Sequence, residues 1–256
     1  MPPRVAFVTG ASSGFGAAIA RRYARAGVRV VATARRQDRL QALLDEFGDD
    51  LIFVSVLDVR DRVAIERLAA SLPPAFAEVD VLVNNAGLAL GLEPAQEADL
   101  ENWDRMIETN CTGLVYVTRA LLPGMVARRR GHVVNLGSIA STYPYPGGNV
   151  YGATKAFVHQ FSLGLRADLH GTRVRVTCLE PGLVGGTEFS EVRFAGDAER
   201  AAGLYEGTEP LTPEDIAAAV EWVTFQPPHV NVNLIELMPV SQSFGALPVD
   251  RSGGRA

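Results

Sequence analysis

The residues of this sequence best suited to chemistry are Tyr151 and Lys155, which lie four positions apart in the run VYGATKAF. Lys155 is the only lysine of the chain, and the remaining 23 of its 24 Lys and Arg residues are all arginine. Residues at i and i+4 of a helix project from one face, and a neighbouring ammonium lowers the pKa of a phenol, which is about 10 in isolation. Unlike arginine, a lysine is compact and mobile, so it can reach a ribose and pass protons. The pair therefore predicts a general acid/base on a helix.

A second candidate site is the glycine-rich sequence TGASSGFG at residues 9–16, between a β-branched run and a helical pattern. Glycines let the backbone turn sharply and approach a pyrophosphate, which the N-terminus of the following helix attracts. The spacing TGxxxGxG differs from GxGxxG, and the glycines alone are equally consistent with a plain tight turn. As a phosphate-binding loop, this stretch would contribute Gly10, Ser12, Ser13, Gly14, Phe15 and Gly16.

Two arginines at the end of the second predicted strand, Arg35 and Arg36, indicate which dinucleotide the loop would bind. NAD-selective enzymes usually carry an acid about 20 residues beyond the glycines, and this acid accepts from the ribose 2′-hydroxyl. A guanidinium pair instead matches a 2′-phosphate. The pair favours NADP over NAD, with Arg35 as the better candidate of the two. The alternative is that these are solvated loop arginines, and it applies above all to Arg36.

Short β-branched runs alternate with helical patterns along the chain, which predicts parallel βαβ units with a sheet covered on both faces. We predict an α/β fold, a single doubly wound Rossmann domain over residues 1–256 with a mainly parallel seven-stranded sheet. Between about 182 and 209 the pattern lapses, which is typical of a functional lid or of disorder, and a coil tail follows at 238–256. The predicted strands are 4–10, 28–34, 51–57, 79–85, 131–138, 174–182 and 232–237, and the predicted helical segments are 15–27, 37–48, 62–72, 100–129, 149–171 and 212–225.

The composition argues against several other classes of protein. The formal net charge is −5 and the pI about 5.5, whereas nucleic-acid binding needs a basic face. The apolar runs fall short of the about 18 residues of a membrane span, and the start MPPRVAFVTG lacks the features of a leader. Cys111 and Cys178 cannot form a disulfide framework, and the four histidines show no metal-ligand spacing. We expect a cytoplasmic protein with reduced cysteines that binds no metal, nucleic acid or membrane.

Five motifs, taken in order, resemble the short-chain dehydrogenase/reductase family: TGASSGFG, NNAG at 84–87, Asn110, Ser138 and YGATK at 151–155. The resemblance covers essentially the whole chain. It implies that Tyr151 is the catalytic acid/base and that Lys155 binds the nicotinamide ribose and lowers the pKa of Tyr151. Ser138 would hydrogen-bond the reacting oxygen, and Asn110 would hold a water of the proton relay at a helix interruption.

The same resemblance implies further contacts with NADP. Along the cofactor from the adenine to the nicotinamide, the residues would be Asp58 and Val59, then Asn84, Ala86 and Gly87, and then Pro181, Gly182, Val184 and Thr187.

Several of these residues have a second interpretation. Ser138 is also consistent with a cap on a strand-to-loop turn, and Asn110 with a side chain that only satisfies backbone groups. Asp58 is also typical of a turn before the next helix. Cys111, beside Asn110, indicates a small buried apolar residue rather than a nucleophile.

Four longer stretches resemble one group within the family, the NADP-dependent 3-hydroxy acid dehydrogenases: NNAGLALGLEPA, YPGGNVYGATKAF, LEPGLVGGTEFSEVRF and LMPVSQS. The resemblance implies oxidation at the 3-hydroxyl of 3-hydroxy or 2-amino-3-hydroxy acids, such as L-allo-threonine, serine and 3-hydroxypropionate. It also implies a homotetramer with interface helices near 111–129 and 150–170.

A carboxylate substrate requires a cation or several amide donors in the pocket. Arg193, within the matching EVRF, is the candidate, and a solvated loop arginine is the alternative. Tyr145 and Asn149 precede Tyr151 and would line the same pocket, although Tyr145 is equally consistent with packing. Two other functions remain open: a reductase of neutral aldehydes or ketones, and a non-catalytic NADP-binding sensor.

Overall fold

The computed structural model describes residues 3–245. Residues 1–2 and 246–256, which include much of the predicted coil tail, lie outside the described residues. None of the helices in the described part of the chain is both long and apolar enough to cross a membrane.

One sheet organises residues 3–245, and its seven strands are all paired in parallel in the order β3-β2-β1-β4-β5-β6-β7. The predicted doubly wound sheet is therefore confirmed, and it is parallel throughout. The strands are β1 (Val5–Thr9), β2 (Arg29–Ala34), β3 (Ile52–Val56), β4 (Val81–Asn84), β5 (Gly131–Leu136), β6 (Val174–Pro181) and β7 (Leu234–Leu237).

The helices follow the predicted segments, with two additions. They are α1 (Gly14–Arg25), α2 (Gln37–Phe47), α3 (Arg62–Ala70), α4 (Leu100–Ile107), α5 (Leu114–Ala127), α6 (Asn149–Asp168), α7 (Phe189–Arg193), α8 (Ala198–Gly203) and α9 (Pro213–Thr224). A π-helical turn, Glu108–Gly113, joins α4 to α5. The helix interruption expected at Asn110 is therefore present.

The segment 182–209 is more ordered than its sequence predicts, because it contains α7 and α8. With five and six residues, these helices are too short to show a hydrophobic period. Their order comes from local caps and distant contacts: the Asp197 side chain caps α8 by accepting from the Arg200 N–H. A periodicity search misses helices that are stabilised in this way.

Both faces of the sheet are buried, which explains why its strands are almost continuously apolar. Alternate residues of β1 divide between the two faces: Ala6 and Val8 pack in one cluster with residues of α1, α2 and α9, and Val5 and Phe7 pack in the other with residues of α3, α5 and α6. This double cover fixes the sheet as a rigid platform for the loops at its edge.

The strand order reverses between β2 and β4, which lie on opposite sides of β1. At such a point the loops leaving the strand ends diverge and open a crevice at the carboxyl edge of the sheet, where ligands bind in open α/β folds. The predicted motifs at residues 9–16, 84–87 and 138 all follow strands at this edge. The topology therefore brings them together.

Candidate active site

The turn between β1 and α1 has the close packing that its glycines predict. Gly10 has φ +68, and a Cβ on Gly16 would lie 2.3 Å from the Gly10 carbonyl oxygen, so both positions need glycine. The turn is tied to the end of β4, because Thr9 Oγ1 accepts from the backbone N–H groups of Asn85 (3.0 Å) and Ala86 (2.9 Å). The N-terminus of α1 is thus held beside the neighbouring strand end.

Arg36 is bound to this loop. Its guanidinium donates to the hydroxyls of Ser12 (3.2 Å) and Ser13 (2.8 Å) and pairs with Glu188 Oε2 at 2.8 Å. Ser13 is the N-cap residue of α1, and its hydroxyl serves Arg36 rather than the helix N–H groups, which leaves those donors to an anion. The contacts are unlike those of a solvated loop arginine, the alternative that the sequence left open for Arg36.

Glu188 and Arg39 belong to the same cluster, and sequence reasoning missed both. Arg39 Nη1 lies 2.6 Å from Glu188 Oε1, so one carboxylate from the segment before α7 pairs with two arginines. These arginines lower the pKa of Glu188 against the opposing effect of its partial burial. The sequence separation of about 150 residues gives no local signal of this contact.

Asp58 fits both of its interpretations. Its Oδ1 accepts from the Arg60 N–H at 3.0 Å, which forms a turn, and its Oδ2 accepts from the Arg60 guanidinium at 2.7 Å. Hydrogen bonds from Arg60 lower the pKa of this carboxyl. Asp58 and Arg35 also line the same cavity, so the turn does not remove the carboxylate from the site.

A cavity of about 330 Å³ runs from the glycine loop to the predicted catalytic helix. Among the predicted cofactor residues, those that line it are Gly10, Ser12, Ser13, Gly14, Phe15, Arg35, Arg36, Asp58, Val59, Ala86, Gly87, Tyr151, Lys155 and Thr187. The other predicted cofactor residues are not part of its lining within the described chain: Gly16, Asn84, Pro181, Gly182 and Val184. Asn84 is buried, and its Nδ2 donates to Thr118 and Asn135 in the sheet.

Tyr151 and Lys155 project from the first half of α6, and both are less than a tenth exposed. The Lys155 ammonium donates to the Leu136 carbonyl at 2.8 Å and lies 5.8 Å from the centroid of the Tyr151 ring. Ser138 begins a single 3₁₀ turn, Ile139–Ser141, and its Oγ accepts from the Ala140 N–H at 3.2 Å. The Ser138 hydroxyl therefore caps the turn after β5, as its second interpretation predicts.

Burial changes the acidity of both groups. It raises the pKa of Tyr151 to about 12, although the neighbouring Ser138 hydroxyl and the Arg193 guanidinium oppose the rise. It lowers the pKa of Lys155 to about 8. The direction for Tyr151 is opposite to the lowering that the sequence predicts, because removal of the phenolate from water is the largest effect on this pKa.

The Asn110 side chain makes hydrogen bonds on all sides within the π-helical turn. Its Oδ1 accepts from the Leu88 N–H at 2.9 Å, and its Nδ2 donates to the Leu88 carbonyl at 2.8 Å and to Thr154 Oγ1 at 3.0 Å. It thus joins the loop after β4 to the helix that carries Tyr151. Two of these bonds satisfy backbone groups, as the second interpretation of Asn110 predicts, and the third reaches the Thr154 side chain.

Arg193 points into the site from the end of α7. Its Nη2 donates to the Tyr145 hydroxyl at 2.8 Å and its Nε to the Gly91 carbonyl at 3.2 Å, while the Gly91 N–H donates to the Arg193 carbonyl at 3.0 Å. The guanidinium carbon lies 5.6 Å from the centroid of the Tyr151 ring. The structure therefore brings Arg193, Tyr145 and Tyr151 together, and Arg193 is not a solvated loop residue.

Asn149 lies apart from this group. It is the exposed first residue of α6, and its Oδ1 accepts from the Val150 N–H. Arg200, the other arginine of the segment 182–209, stacks instead on Phe194 with its guanidinium carbon 4.4 Å from the ring centroid.

Further residues at the site had no sequence signal. Phe189 packs edge-on against Tyr151 with 5.8 Å between ring centroids, and this contact closes one side of the phenol. Behind the Tyr151 side of α6, polar groups of His159, Cys178 and Glu180 lie within 4.8 Å of one another, although the histidine spacing predicted no such cluster. Helix α6 and strand β6 supply these residues, so only the fold could reveal the group.

Known proteins match this chain over nearly its whole length. The model of the short chain dehydrogenase family matches residues 4–197. An NADP-dependent 3-hydroxy acid dehydrogenase of Salmonella typhi is 62% identical over 248 residues, which cover 97% of this chain and 100% of that protein. Serine 3-dehydrogenase of Agrobacterium fabrum is 51% identical over 244 residues, or 95% of this chain and 97% of that one. A solved closed form of serine dehydrogenase complexed with NADP+ matches with a TM-score of 0.95 and 60% identity, over 96% of this chain and 99% of that chain.

Replacing Lys155 by methionine will stabilise the folded chain at neutral pH. The pKa of Lys155 is about 8 in the fold, against 10.5 without it, so the charged form carries a penalty of about 3 kcal/mol that is complete below pH 8. The penalty shrinks as the pH rises from 8 to 10.5, because the folded chain then loses the proton first. Urea unfolding of Lys155→Met at pH 7 and near pH 10.5 checks the gain and its disappearance.

The control is Gln160→Met, an exposed change on the same helix that has no titrating group to remove. A Lys155→Met protein less stable than the wild type at pH 7, or a gain that persists unchanged to pH 10.5, would contradict the burial penalty.

Proposed function

This chain belongs to the short-chain dehydrogenase family, and we propose that it transfers hydride between NADP and the 3-hydroxyl carbon of small 3-hydroxy acids, including 2-amino-3-hydroxy acids such as serine and L-allo-threonine. One observation carries the choice of substrate: the Arg193 guanidinium lies 5.6 Å from the centroid of the Tyr151 ring. A guanidinium so close to the acid/base can bind a carboxylate while the neighbouring hydroxyl reacts.

The cofactor is NADP, as in the similar 3-hydroxy acid dehydrogenase and in the similar serine dehydrogenase complex. The donor set of the cavity fits it: the α1 N-terminus and the glycine turn suit the pyrophosphate, and Arg35 and Arg36 suit the 2′-phosphate. Glycine is required sterically at Gly16, where a Cβ would clash with the Gly10 carbonyl and so disturb the turn that lines the cavity. When bound, NADP supplies or accepts the hydride at the nicotinamide.

The protein's own part in the reaction is proton transfer and charge stabilisation. Tyr151 takes the proton of the substrate hydroxyl as hydride leaves the carbon, and Ser138 donates a hydrogen bond to the same oxygen. Lys155 binds the ribose, and its ammonium favours the phenolate of Tyr151. Asn110 holds the loop after β4 against α6. We assign the water of the proton relay to the π-helical turn that contains Asn110.

The Arg193 side chain is held for substrate binding by two contacts that leave its positive charge without a carboxylate partner among the described residues. Tyr145 contributes a hydroxyl and Gly91 a carbonyl, both of them neutral acceptors. A half-buried cation held by neutral groups is poised to take an anion. The substrate carboxylate supplies that charge.

Replacing Arg193 by alanine will lower kcat/KM for L-serine by about 100-fold, because the carboxylate loses a charge-assisted hydrogen bond of about 2–3 kcal/mol. NADP+ reduction, followed by nicotinamide absorbance, measures the loss with L-serine, L-allo-threonine and 3-hydroxypropionate, beside a neutral secondary alcohol. Arg200→Ala is the matched control, since it removes an arginine of the same segment that stacks on Phe194.

The comparison of acids with the neutral alcohol separates the rival functions. Activity on the neutral alcohol alone, unchanged in Arg193→Ala, would identify a reductase of neutral carbonyl compounds. NADPH binding without turnover of any of these compounds would identify a sensor.

Replacing Arg35 and Arg36 together by alanine will raise the KM for NADP+ by about 100-fold and leave that for NAD+ within a few-fold, because only NADP+ carries the 2′-phosphate that they bind. Initial rates at saturating L-serine with each cofactor measure both constants. Arg25→Ala, an exposed arginine at the end of α1, is the control. Equal losses with NAD+ and NADP+ would show that the pair shapes the loop and does not select the cofactor.

We also propose a cytoplasmic homotetramer with an interface that includes α5 and α6. Helix α6 exposes Phe157 and Leu163 at 41% and 40%, and Phe157 stacks on Phe161 in a small apolar patch. Free, buried Cys111 and Cys178 suit a reducing compartment.

The wild-type protein will sediment as four chains of 27.4 kDa, and Phe157→Asp will dissociate it, because a carboxylate cannot be buried unpaired in that interface. The control is Val63→Asp, which likewise replaces an exposed apolar side chain by a carboxylate, but on α3. Sedimentation equilibrium distinguishes the masses, and an intact tetramer of Phe157→Asp would remove α6 from the interface.

A further inference from the structure

Glu180 is a completely buried carboxylate at the end of β6, between Leu179 and Pro181. Its Oε1 accepts from the Ser141 hydroxyl and from His159 Nδ1, each at 2.8 Å. Its Oε2 has no hydrogen-bond partner among the described residues. A buried carboxylate oxygen without a donor is costly, and an apolar residue at this position would avoid the cost. The side chain therefore serves something other than the stability of β6.

Cys178 Sγ, on β6 itself, also donates to Glu180 Oε1 at 3.6 Å, and the other two partners of Glu180 belong to the two elements that carry the catalytic groups. Ser141 ends the 3₁₀ turn that Ser138 begins. His159 lies on α6 at the position i+4 from Lys155 and i+8 from Tyr151, so the three share one face of the helix. One carboxylate oxygen thus links the turn of Ser138 to the helix of Tyr151.

Glu180 also packs directly beneath the end of β5. A Cβ on Gly137 would lie 2.8 Å from Glu180 Cγ and 3.0 Å from Cys178 Sγ. The preceding residue, Leu136, is the one whose carbonyl accepts from Lys155. Glu180 therefore supports the short segment that anchors the lysine on one side and leads to Ser138 on the other.

We propose that Glu180 is a positioning residue of the reaction, which through Ser141 and His159 holds Ser138 at a fixed place relative to Tyr151 and Lys155. It rests on the catalytic roles proposed above for those three residues. Buried hydrogen-bonded networks of this kind specify one arrangement of the elements that they join. Glu180 acts through its neighbours and does not contact the reacting atoms.

The charge of Glu180 reaches the lysine as well. The titratable groups that face it are Lys155 and His159 on α6, Cys178 on β6 and Tyr143 beyond the 3₁₀ turn. The carboxylate favours the Lys155 ammonium and so opposes the fall in the Lys155 pKa that burial causes. Loss of this charge would make Lys155 lose its proton at a lower pH.

The test compares Glu180→Gln, Ser141→Ala and the control Thr177→Val in the full-length protein. Glu180→Gln keeps the shape and one acceptor but removes the charge, and Ser141→Ala removes one hydrogen bond from a half-buried residue. Thr177→Val breaks the buried hydrogen bond of 2.8 Å between Thr177 and His132 Nε2, on the same strand but away from the Ser138 turn. The measurements are kcat and KM against pH at saturating NADP+ with L-serine, together with a thermal melt.

Glu180→Gln will lower kcat at least tenfold, with KM nearly unchanged, and will move the alkaline limit of kcat to lower pH. Ser141→Ala will lower kcat several-fold without moving that limit, because the charge stays. Thr177→Val will lower the melting temperature and leave the pH profile of kcat as in the wild type.

The proposal would be overturned if Glu180→Gln kept the kcat and the pH profile of the wild type. It would also be overturned if Thr177→Val moved the alkaline limit of kcat as far as Glu180→Gln does. If Glu180→Gln does not fold, Ser141→Ala decides, since an unchanged kcat in that variant also overturns it. If the wild type does not oxidise L-serine, the substrate assignment fails by itself, and the same profiles are taken with any alcohol that the wild type oxidises.

Discussion

The Lys155 ammonium is buried between α6 and the end of β5, where the Leu136 carbonyl accepts its hydrogen bond at 2.8 Å. A cation out of water is tolerated only when its surroundings are rigid and supply polar contacts. The doubly covered sheet supplies the rigidity, and the strand end supplies the acceptor. The neighbouring elements are then tied to the same place: Asn110 joins the loop after β4 to α6, and Glu180 joins β6 to the Ser138 turn. The site is thus built around one buried cation, whose pKa burial lowers.

The segment that contains α7 lies between the two ends of the site. Before the helix, Glu188 pairs with Arg36 and Arg39 beside the glycine loop. At its end, Arg193 contacts Gly91 and Tyr145 beside Tyr151. A five-residue helix has little stability of its own, so these contacts at both ends keep it in place. Whatever organises the 2′-phosphate end therefore also helps to place the guanidinium proposed for the substrate.

Local patterns in the sequence predicted the features that depend on neighbouring residues. The strands follow from β-branched runs, the turn from its glycines, and the shared face of Tyr151 and Lys155 from helical spacing. The direction of the Tyr151 pKa was wrong, because it depends on how much water packing removes, and the sequence does not display burial. The contacts of Glu188 and Glu180 were missed for a related reason: their partners are distant in the chain. Helices α7 and α8 were missed because they are too short to show a period.

The pairing of Glu188 with Arg36 matters for any redesign of this enzyme. A change of cofactor from NADP to NAD would begin with replacement of Arg35 and Arg36, at the end of β2. That change would also remove one of the two arginines that pair with Glu188, leaving Arg39 alone against a carboxylate at the start of α7 that would repel a newly introduced acid. Recognition of the nucleotide and order in the substrate segment would then be altered by the same mutation. A successful exchange would have to rewrite both ends of this ion pair together, and evolution toward NAD from this sequence would meet the same requirement for a paired substitution.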